Sequence, residues 1–488
     1  MTAPTLADLA PDLAAAAGAA AVAVGGITAD SRKAGPGMVF AGLPGSRADG
    51  AAFAAEAVAK GAVAVLVGEG SVVPDGLGVP VIRDADPRRR LALIAAALNG
   101  PQPETVVAVT GTAGKTSVAA FARQIFEASG RRAASLGTLG VVTAGGARYG
   151  SLTTPDPVAL HQSLAGLARE GITHVALEAS SHGLDQRRLD GVRFSAAAFT
   201  NLGRDHMDYH PTVEDYLAAK LRLFEVLLPE GAPAVLDPAE PMAGRVAAAV
   251  VARGLPLLTV GPQGRDLRLV SVEPAGTAQR LVVAAGGDSH AVLLPLLGGF
   301  QVSNALVAAG LAVAVGVPAG AAIAALAGLE GAPGRLDLVG RTAEGATVFV
   351  DYAHKPDALE AVLSTLRPIA DGRLIVVFGA GGDRDRGKRP LMGAVAARLA
   401  DVAIVTDDNP RSEAPEAIRA AILAAAPGAV EIGDRAEAIR TAVAMLTRGD
   451  ILVVAGKGHE PGQIVGDTVL PFSDHAVARA ALASREAR

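Results

Sequence analysis

Val106-Val107-Ala108-Val109-Thr110-Gly111-Thr112-Ala113-Gly114-Lys115-Thr116-Ser117 is the stretch on which the reading of this chain turns. An apolar, β-rich run ends in a glycine loop. The 3/4 spacing of Val118, Phe121 and Ile125 predicts a helix opening directly behind, with Gly130 placed to end it. Strand, glycine loop and helix in that order suit a polyphosphate. Backbone N–H groups and the helix N-terminus face the anion, Lys115 adds a mobile cation, and Thr116 or Ser117 offers a hydroxyl to Mg²⁺. Val109 stands where the common eight-residue phosphate loop has its first glycine, so the match is to the shorter form GTxGKT. A plain Gly-rich strand-to-helix turn is the competing reading, and Gly-Lys-Thr at the junction argues against it.

Composition narrows the rest. A length of 488 residues predicts about three domains, each able to bury a core. The net charge of -5 is slight and evenly spread, so no basic surface argues for nucleic acid or membrane partners. The absence of Cys excludes disulfides, thiolate metal sites and a cysteine nucleophile. MTAPTLADLAPDL carries acids and lacks a basic start, unlike a signal peptide. Alanine-rich stretches such as 243–252 are too short to span a bilayer. The expectation is a soluble, cytoplasmic monomer. With no Trp and few aromatics, apolar volume comes from Ala, Val and Leu, which suits helices packed on buried parallel strands.

Short apolar runs alternate with Ala/Leu-rich helical stretches from about residue 101, with strands predicted at 106–110, 173–178, 194–200, 346–353, 373–379, 401–406 and 450–455. This alternation predicts an α/β protein with parallel sheets. Asn99-Gly100-Pro101-Gln102-Pro103 reads as a linker, and a second break is expected near Gly331-Ala332-Pro333-Gly334-Arg335. Polar clusters follow the predicted strand ends: Glu178 to His182, Asn201 to His206, Asp351 to His354, Gly379 to Arg386, Asp407 to Arg411 and Gly456 to Glu460. Open α/β sheets bind ligands outside the carboxyl ends of their strands. These clusters read as an active site shared by two sheets.

Eleven ordered motifs carry a resemblance over nearly the whole chain: DSRKAGPGMVFAGLPGSRADG, GTAGKTS, LTTPDP, LEASSHGLDQRRL, FTNLGRDHMDYH, YLAAK, LLGGFQVSNALVA, VDYAHKPDALE, VFGAGGDRDRGKRPLM, TDDNPRSE and AGKGHE. The chain resembles the Mur ligases, the ATP-dependent amide-forming enzymes of peptidoglycan synthesis. Within them it is similar to the branch that adds a third amino acid to UDP-N-acetylmuramoyl-L-alanyl-D-glutamate. The resemblance implies an N-terminal UDP-binding domain (1–100), a central P-loop-type, parallel-sheet ATP-binding domain (101–334) and a C-terminal Rossmann-like, amino-acid-binding domain (335–488). Ala113 replaces an Asn frequent in the family's phosphate loop, Ala380 a common Cys, Lys355 a frequent Thr and Gln301 a frequent Asn. None of these removes a charged catalytic group.

The resemblance also implies roles. The D-glutamate carboxylate attacks the γ-phosphate of ATP, and the incoming amine displaces phosphate from the acyl phosphate. That transition state spreads negative charge over oxygens, so cations and positioning do the work. Lys115, with the loop Gly111 to Ser117, would hold the nucleotide, and Thr116, Glu178 and His206 fall at metal positions. Lys220 reads by periodicity as a solvated helix lysine. The matching family lysine is carbamylated, which would turn a cation into a ligand for a second Mg²⁺. Asn304, Arg335, Asp351 and His354 match nucleotide contacts. Ser31 with Ser46, Arg47 and Ala48 falls where the uridine diphosphate lies. Thr153, Thr154, Ser180, Gln186 and Arg188 fall where the muramoyl dipeptide is held, and Arg187 reads as a solvated charge.

Asp408-Asn409-Pro410-Arg411 carries the choice of amine. Meso-diaminopimelate ends in an amino acid head group that L-lysine lacks. Arg411, with Arg384, offers planar donors to its carboxylate, while Glu460 and Asn409 can accept from its ammonium, with Gly456 beside them. DNPR with GKGHE resembles the diaminopimelate-adding branch. A ligase of the same architecture adding L-lysine, D-alanyl-D-alanine or glutamate is the alternative. A nucleotide switch that has lost ligation would lack metal ligands or Lys220, and all are present. A dehydrogenase would need a ribose-binding acid at the expected distance, and none follows.

Overall fold

The computed structural model describes residues 3–45, 48–148, 150, 152–203 and 205–486. The chain divides into two compact units that interleave in sequence. One comprises Met1–Leu269, Ala284–His290 and Leu306–Ala325, and the other Val270–Val283, Ala291–Ala305 and Leu326–Arg488.

The first unit holds two sheets. In the smaller, Gly26–Thr28, Met38–Gly42, Ala64–Gly68 and Val81–Asp84 lie parallel and in chain order. Val39, Ala41, Leu66 and Ile82 on one face pack against Leu91 and Ile94 of the helix Pro87–Asn99. That helix starts with Pro at its first turn and is capped by Asp86, whose side chain accepts from Arg89 N.

The larger sheet has a parallel core in the order Leu257–Gly261, Ala234–Leu236, Ala196–Phe199, Thr105–Thr110, His174–Glu178 and Ala133–Gly137. The antiparallel Gly140–Thr143 and Gly146–Arg148 extend it. The central strands are buried along their whole length, which is why they read as unbroken apolar runs. Register brings their carboxyl ends together, because Val109 pairs with Glu178 and Thr110 with Phe199. The helix Lys115–Ala128 follows the glycine loop and buries Val118, Phe121, Ile125 and Phe126. Each such side chain contributes on the order of 2 kcal/mol on leaving water.

The second unit is built on a six-stranded sheet in the order Asp337–Arg341, Thr347–Asp351, Ile451–Ala455, Leu374–Phe378, Val402–Val405 and Val430–Glu431, antiparallel only at the first pair. Helices cover both faces. Leu359, Val362 and Leu363 of Pro356–Leu366 pack with Val376 and Phe378, while Ile439 and Val443 of Arg435–Ala444 pack with Val348 and Ile375. A separate antiparallel hairpin, Gly462–Val465 with Thr468–Pro471, stands outside this sheet.

All seven expected strands are present within a residue or two of their expected ends. Leu267–Ala275, Ala278–Ala285 and Asp288–Leu294 are additional strands that the sequence reading did not anticipate.

Candidate functional site

Gly111 and Gly114 turn the chain from strand to helix at φ +151° and +85°. A Cβ on Gly111 would lie 1.9 Å from Thr200 Oγ1, so side-chain-free backbone is required there. The loop is stapled to the end of the neighbouring strand. Thr112 N donates to Asn201 O (2.9 Å), Ala113 N to Asn201 Oδ1 (2.9 Å) and Thr200 Oγ1 to Ala113 O (2.7 Å). Ala113 therefore takes part through its backbone. Lys115 curls back, its Nζ donating to Gly111 O (2.8 Å) and Thr112 O (3.1 Å). Ser117 is buried in the first turn of the helix.

Glu178 ends its strand at 2% exposure. Its Oε2 accepts from Thr116 Oγ1 (3.0 Å) and Thr138 Oγ1 (3.1 Å), and its Oε1 from Thr138 N (2.8 Å). Thr138 Oγ1 also bonds Thr153 Oγ1 (2.9 Å), while Thr154 Oγ1 donates to Glu178 O (2.8 Å) and accepts from Ser180 N (3.0 Å). Phosphate loop, acid and the expected dipeptide-holding residues thus form one connected network.

Lys220 is on the helix Val213–Arg222, yet only 1% exposed. This overturns the periodicity reading of a solvated lysine. Its Nζ donates to Gly111 O (2.8 Å) and lies 4.2 Å from the centroid of the Tyr216 ring. Tyr216 in turn bonds Thr112 Oγ1 (3.2 Å). His206 sits at φ +54°, paired with Asp205 (3.1 Å) and 4.7 Å edge-on from the ring of His182. Among the described residues no three His, Asp or Glu groups enclose a metal position. The touching hydroxyl and carboxylate of Thr116 and Glu178 are nevertheless a donor set that suits Mg²⁺, an ion that commonly takes one or two protein oxygens and completes its shell with phosphate and water.

A cleft of about 680 Å³ lies beside this network, lined among others by Thr28, Lys33, Arg88, Asn99, Gln186 and Arg188. Arg188 donates to Thr154 O (2.8 Å) and Gln186 Oε1 (2.7 Å), and burial pulls its guanidinium below its usual range. Of the residues expected at the uridine diphosphate, Ser46 and Arg47 lie outside the described residues. Ser31 and Ala48 do not line the cleft. Ser31 Oγ instead donates to Glu56 (3.1 Å), and Ala48 O accepts from Gly45 N (3.1 Å). Arg187 is a correction as well. It pairs with Asp86 at 2.8 Å, linking the short helix Ser181–Asp185 region to the cap of Pro87–Asn99, where the sequence suggested a solvated charge.

In the second unit, Asn304 Nδ2 donates to Gln301 Oε1 (3.2 Å) and Gln301 Nε2 to Arg335 O (3.2 Å). The Arg335 guanidinium stacks 4.7 Å from the Tyr352 centroid. Asp351 accepts from Leu336 N (2.5 Å) and Ala353 N (2.7 Å). Complete burial pushes its carboxyl up to about 6, against the pull of Arg335 and those two N–H groups. His354 Nδ1 bonds Tyr352 O (2.7 Å), and Lys388 donates to His354 O (2.9 Å). On the far side of Tyr352 sits His459, held down at about 4 by burial and by the charges of Arg335 and His475. Arg335, His354 and His459 of the loop 456–460 are therefore neighbours through Tyr352.

The turn 408–411 lies beside that loop. Arg411 adopts φ +53°, with its N–H on Ile464 O (3.1 Å) and its carbonyl accepting from Gly466 N (2.8 Å). Its Nη1 donates to Gly382 O (2.8 Å). Arg411 and the exposed Arg384 flank Gly381, since a Cβ there would lie 2.8 Å from Arg411 Nη1 and 3.9 Å from Arg384 Cγ. Gly456, at φ +120°, lets the chain pass Asp408, whose Oδ2 a Cβ would meet at 2.8 Å. Pro410 O accepts from Glu413 N (3.1 Å). The structure corrects one role. Asn409 Oδ1 already accepts from Lys457 Nζ and Ile464 N, each at 2.9 Å, so Asn409 holds Glu460 (2.9 Å) rather than accepting from a ligand.

Sequence reasoning gave no role to Thr138, Thr200 or Tyr216, and placed Asn201 and Lys457 only within polar clusters. A threonine after a strand and a lysine between glycines look like ordinary loop residues; burial distinguishes Thr200 and Lys457, and the two hydrogen bonds to Glu178 distinguish Thr138.

Residues 23–99, 109–312 and 334–458 match the Mur ligase family catalytic domain, the Mur ligase middle domain and the Mur ligase glutamate ligase domain, respectively. The chain is 63% identical over 464 residues to the UDP-N-acetylmuramoyl-L-alanyl-D-glutamate--2,6-diaminopimelate ligase of Mesorhizobium japonicum, covering 95% of this chain and 96% of that one. It is 58% identical over 457 residues to the protein of the same name from Caulobacter vibrioides, covering 92% and 94%. A solved structure of a ligase of that name superposes with a TM-score of 0.71 at 34% identity over 99% of both chains. A Mycobacterium tuberculosis folylpolyglutamate synthase complexed with ADP shares the fold at a TM-score of 0.63 and 19% identity, over 82% of this chain and 94% of that one.

Proposed function

This chain belongs to the Mur ligase family, and from that premise we propose that it joins meso-2,6-diaminopimelate to the D-glutamate of UDP-N-acetylmuramoyl-L-alanyl-D-glutamate at the expense of ATP, in peptidoglycan synthesis. It is a ligase of the three-domain α/β Mur type, and we place its boundaries near residues 100 and 334. No helix among the described residues is long and apolar enough to cross a membrane; that it works in the cytoplasm as a monomer is proposed on the family resemblance alone.

The chemistry asked of the chain is placement and charge. The N–H groups at the start of the helix behind the loop and the Lys115 ammonium hold the triphosphate, the ammonium releasing Gly111 O and Thr112 O as it does so, while the Thr112 and Ala113 N–H groups stay on Asn201. Thr116 and Glu178 hold Mg²⁺, with His206 and a carbamylated Lys220 as the further ligands that the family resemblance suggests. The metal supplies charge neutralisation on the phosphoryl oxygens. Arg188, Gln186, Thr153, Thr154 and Ser180 hold the acceptor next to that acid. Asn304, Arg335, Asp351 and His354 are the residues to which the family resemblance gives nucleotide contacts. The D-glutamate carboxylate attacks the γ-phosphate of ATP and ADP leaves; the amine then displaces phosphate from the acyl phosphate so formed and gives up a proton, with its distal head group on Arg411, Arg384 and Glu460.

The observation that carries the choice of amine is the combination, around one turn, of a guanidinium for a carboxylate and the carboxylate of Glu460 for an ammonium. The test presents the purified protein with the UDP-muramoyl dipeptide, ATP and Mg²⁺, then diaminopimelate, L-lysine, D-alanyl-D-alanine or glutamate in turn. Phosphate release with diaminopimelate alone is expected, and release with L-lysine at an equal rate would refute the assignment. For Lys220, activity lost in Lys220→Ala should return with short carboxylic acids. Failure of any acid to restore it would remove the carbamate from the scheme.

A further inference from the structure

The loop after the strand Ile451–Ala455 holds a cation that the scheme above leaves unused. Lys457 is wholly buried, although a lysine between two glycines would ordinarily carry its ammonium into water. Its Nζ donates to Asn409 Oδ1 at 2.9 Å and to Glu460 Oε2 at 3.1 Å, with Asp408 Oδ1 at 3.7 Å. Asn409 Nδ2 closes the triangle on the same Glu460 oxygen at 2.9 Å. Glu460 Oε2 thus carries two donors, while Oε1 has no hydrogen bond among the described residues. The Glu460 side chain is 31% exposed, so it reaches solvent.

The charges around the lysine agree with that geometry. Arg435 and Asp474 form a second wholly buried pair, bonded at 2.8 and 2.7 Å, with Arg435 Nη2 also donating to Ala455 O (3.0 Å). Burial disfavours the Arg435 charge, but Asp474, Asp408 and Glu460 outweigh it and push the guanidinium up. Two cations, Lys457 and Arg435, face three carboxylates, Asp408, Glu460 and Asp474. One negative charge is left over, on the group that reaches solvent, and that suits a ligand ammonium. A buried ammonium is costly to keep and is a poor way to stabilise a fold.

Building on the ligase reading, we propose that Lys457 is a positioning residue for the incoming amino acid: it pins one oxygen of Glu460 and the Asn409 amide, so that the other Glu460 oxygen is presented to the ammonium of the amine substrate.

Lys457→Met, Glu460→Gln and the double variant test this in the full-length protein, with diaminopimelate and ATP varied separately and folding followed by urea denaturation. Lys457→Met should raise KM for diaminopimelate about 10- to 100-fold, the loss of charged hydrogen bonds, while KM for ATP changes by less than about twofold. Because the lysine acts through Glu460, the double variant should be little worse than the poorer single variant. An unchanged KM for diaminopimelate, an equal rise in both KM values, or effects of the two substitutions that multiply would overturn the proposal. Should Lys457→Met not fold, Lys457→Gln keeps a neutral donor and is read by the same split. Wild-type phosphate release with diaminopimelate tests the ligase reading by itself. If the wild type consumes a different amine, the KM split is measured with that amine and decides the role of Lys457 separately.

Discussion

Replacing Arg411 by lysine keeps a positive charge and removes only the planar fork. The turn should survive, because the bonds that hold residue 411 at φ +53° use its backbone, N–H to Ile464 O and C=O from Gly466 N. The strain of a left-handed residue, about 1 kcal/mol, is the same for Arg and Lys. The guanidinium spends Nη1 on Gly382 O at 2.8 Å, and among the described residues Nε and Nη2 make no hydrogen bond, leaving them for a bidentate carboxylate. A lysine can return one of those two charged bonds. The deficit is about 1.5–3 kcal/mol, or roughly 10- to 150-fold in KM for diaminopimelate. Arg411→Ala should lose both bonds and fall further. Steady-state phosphate release, with the amine and ATP varied in turn, reads the effect, and KM for ATP should move by less than about twofold. Preference for diaminopimelate over L-lysine should shrink alongside. If both KM values rose together, or the preference over lysine stayed put, Arg411 would not be reading the distal carboxylate.

Three other substitutions test the remaining geometry. Thr116→Val removes one of three donors to the buried Glu178. It should cost about 1.5–3 kcal/mol in urea denaturation and raise the Mg²⁺ needed for half-maximal rate, and an unaltered Mg²⁺ titration would count against the metal assignment. Arg435→Met should destabilise by about 3–5 kcal/mol, because Asp474 is left buried and unpaired. Pairing it with Asp474→Leu should recover most of that loss, and equal losses in single and double variants would contradict it. Burial pushes Asp450 up, but Arg373 and the donors of Thr447 outweigh it and hold its carboxyl down at about 2. The unfolded chain binds the extra proton between about pH 4 and pH 2, so this stabilisation is complete above pH 4 and lost as pH falls through 2. Asp450→Asn should therefore cost on the order of 2 kcal/mol at pH 7 and almost nothing near pH 2. A deficit independent of pH would point away from the charge.

The strands that carry the site were legible because parallel strands covered on both faces cannot alternate, so Val106–Val109 and Ile451–Ala455 stand out as unbroken apolar runs. The strands Leu267–Ala275 and Asp288–Leu294 were not. The first is buried only at Leu267 and the second only at Val292 and Leu294, so neither shows an apolar run, and Glu, Arg, Asp and His dilute the pattern further. Thr116 and Glu178 could be paired from their places after adjacent strands. Thr138, which completes the bonding of that carboxylate, follows an unremarkable Leu-Gly, and its part depends on a register between strands that no local spacing encodes. Lys220 and Lys457 show the same limit. A lysine's sequence neighbours say little about whether its ammonium meets water, and here distant carbonyl and carboxylate oxygens receive it.

The hairpin Gly462–Val465 with Thr468–Pro471 belongs to no larger sheet, and a single bridge, made by Ile464 O and Gly466 N, joins it to the main chain of Arg411. The framework that keeps this unit folded is consequently separable from the clip that aims its arginine. Trimming the clip should therefore loosen the Arg411 turn while the ladder beneath keeps its hydrogen bonds.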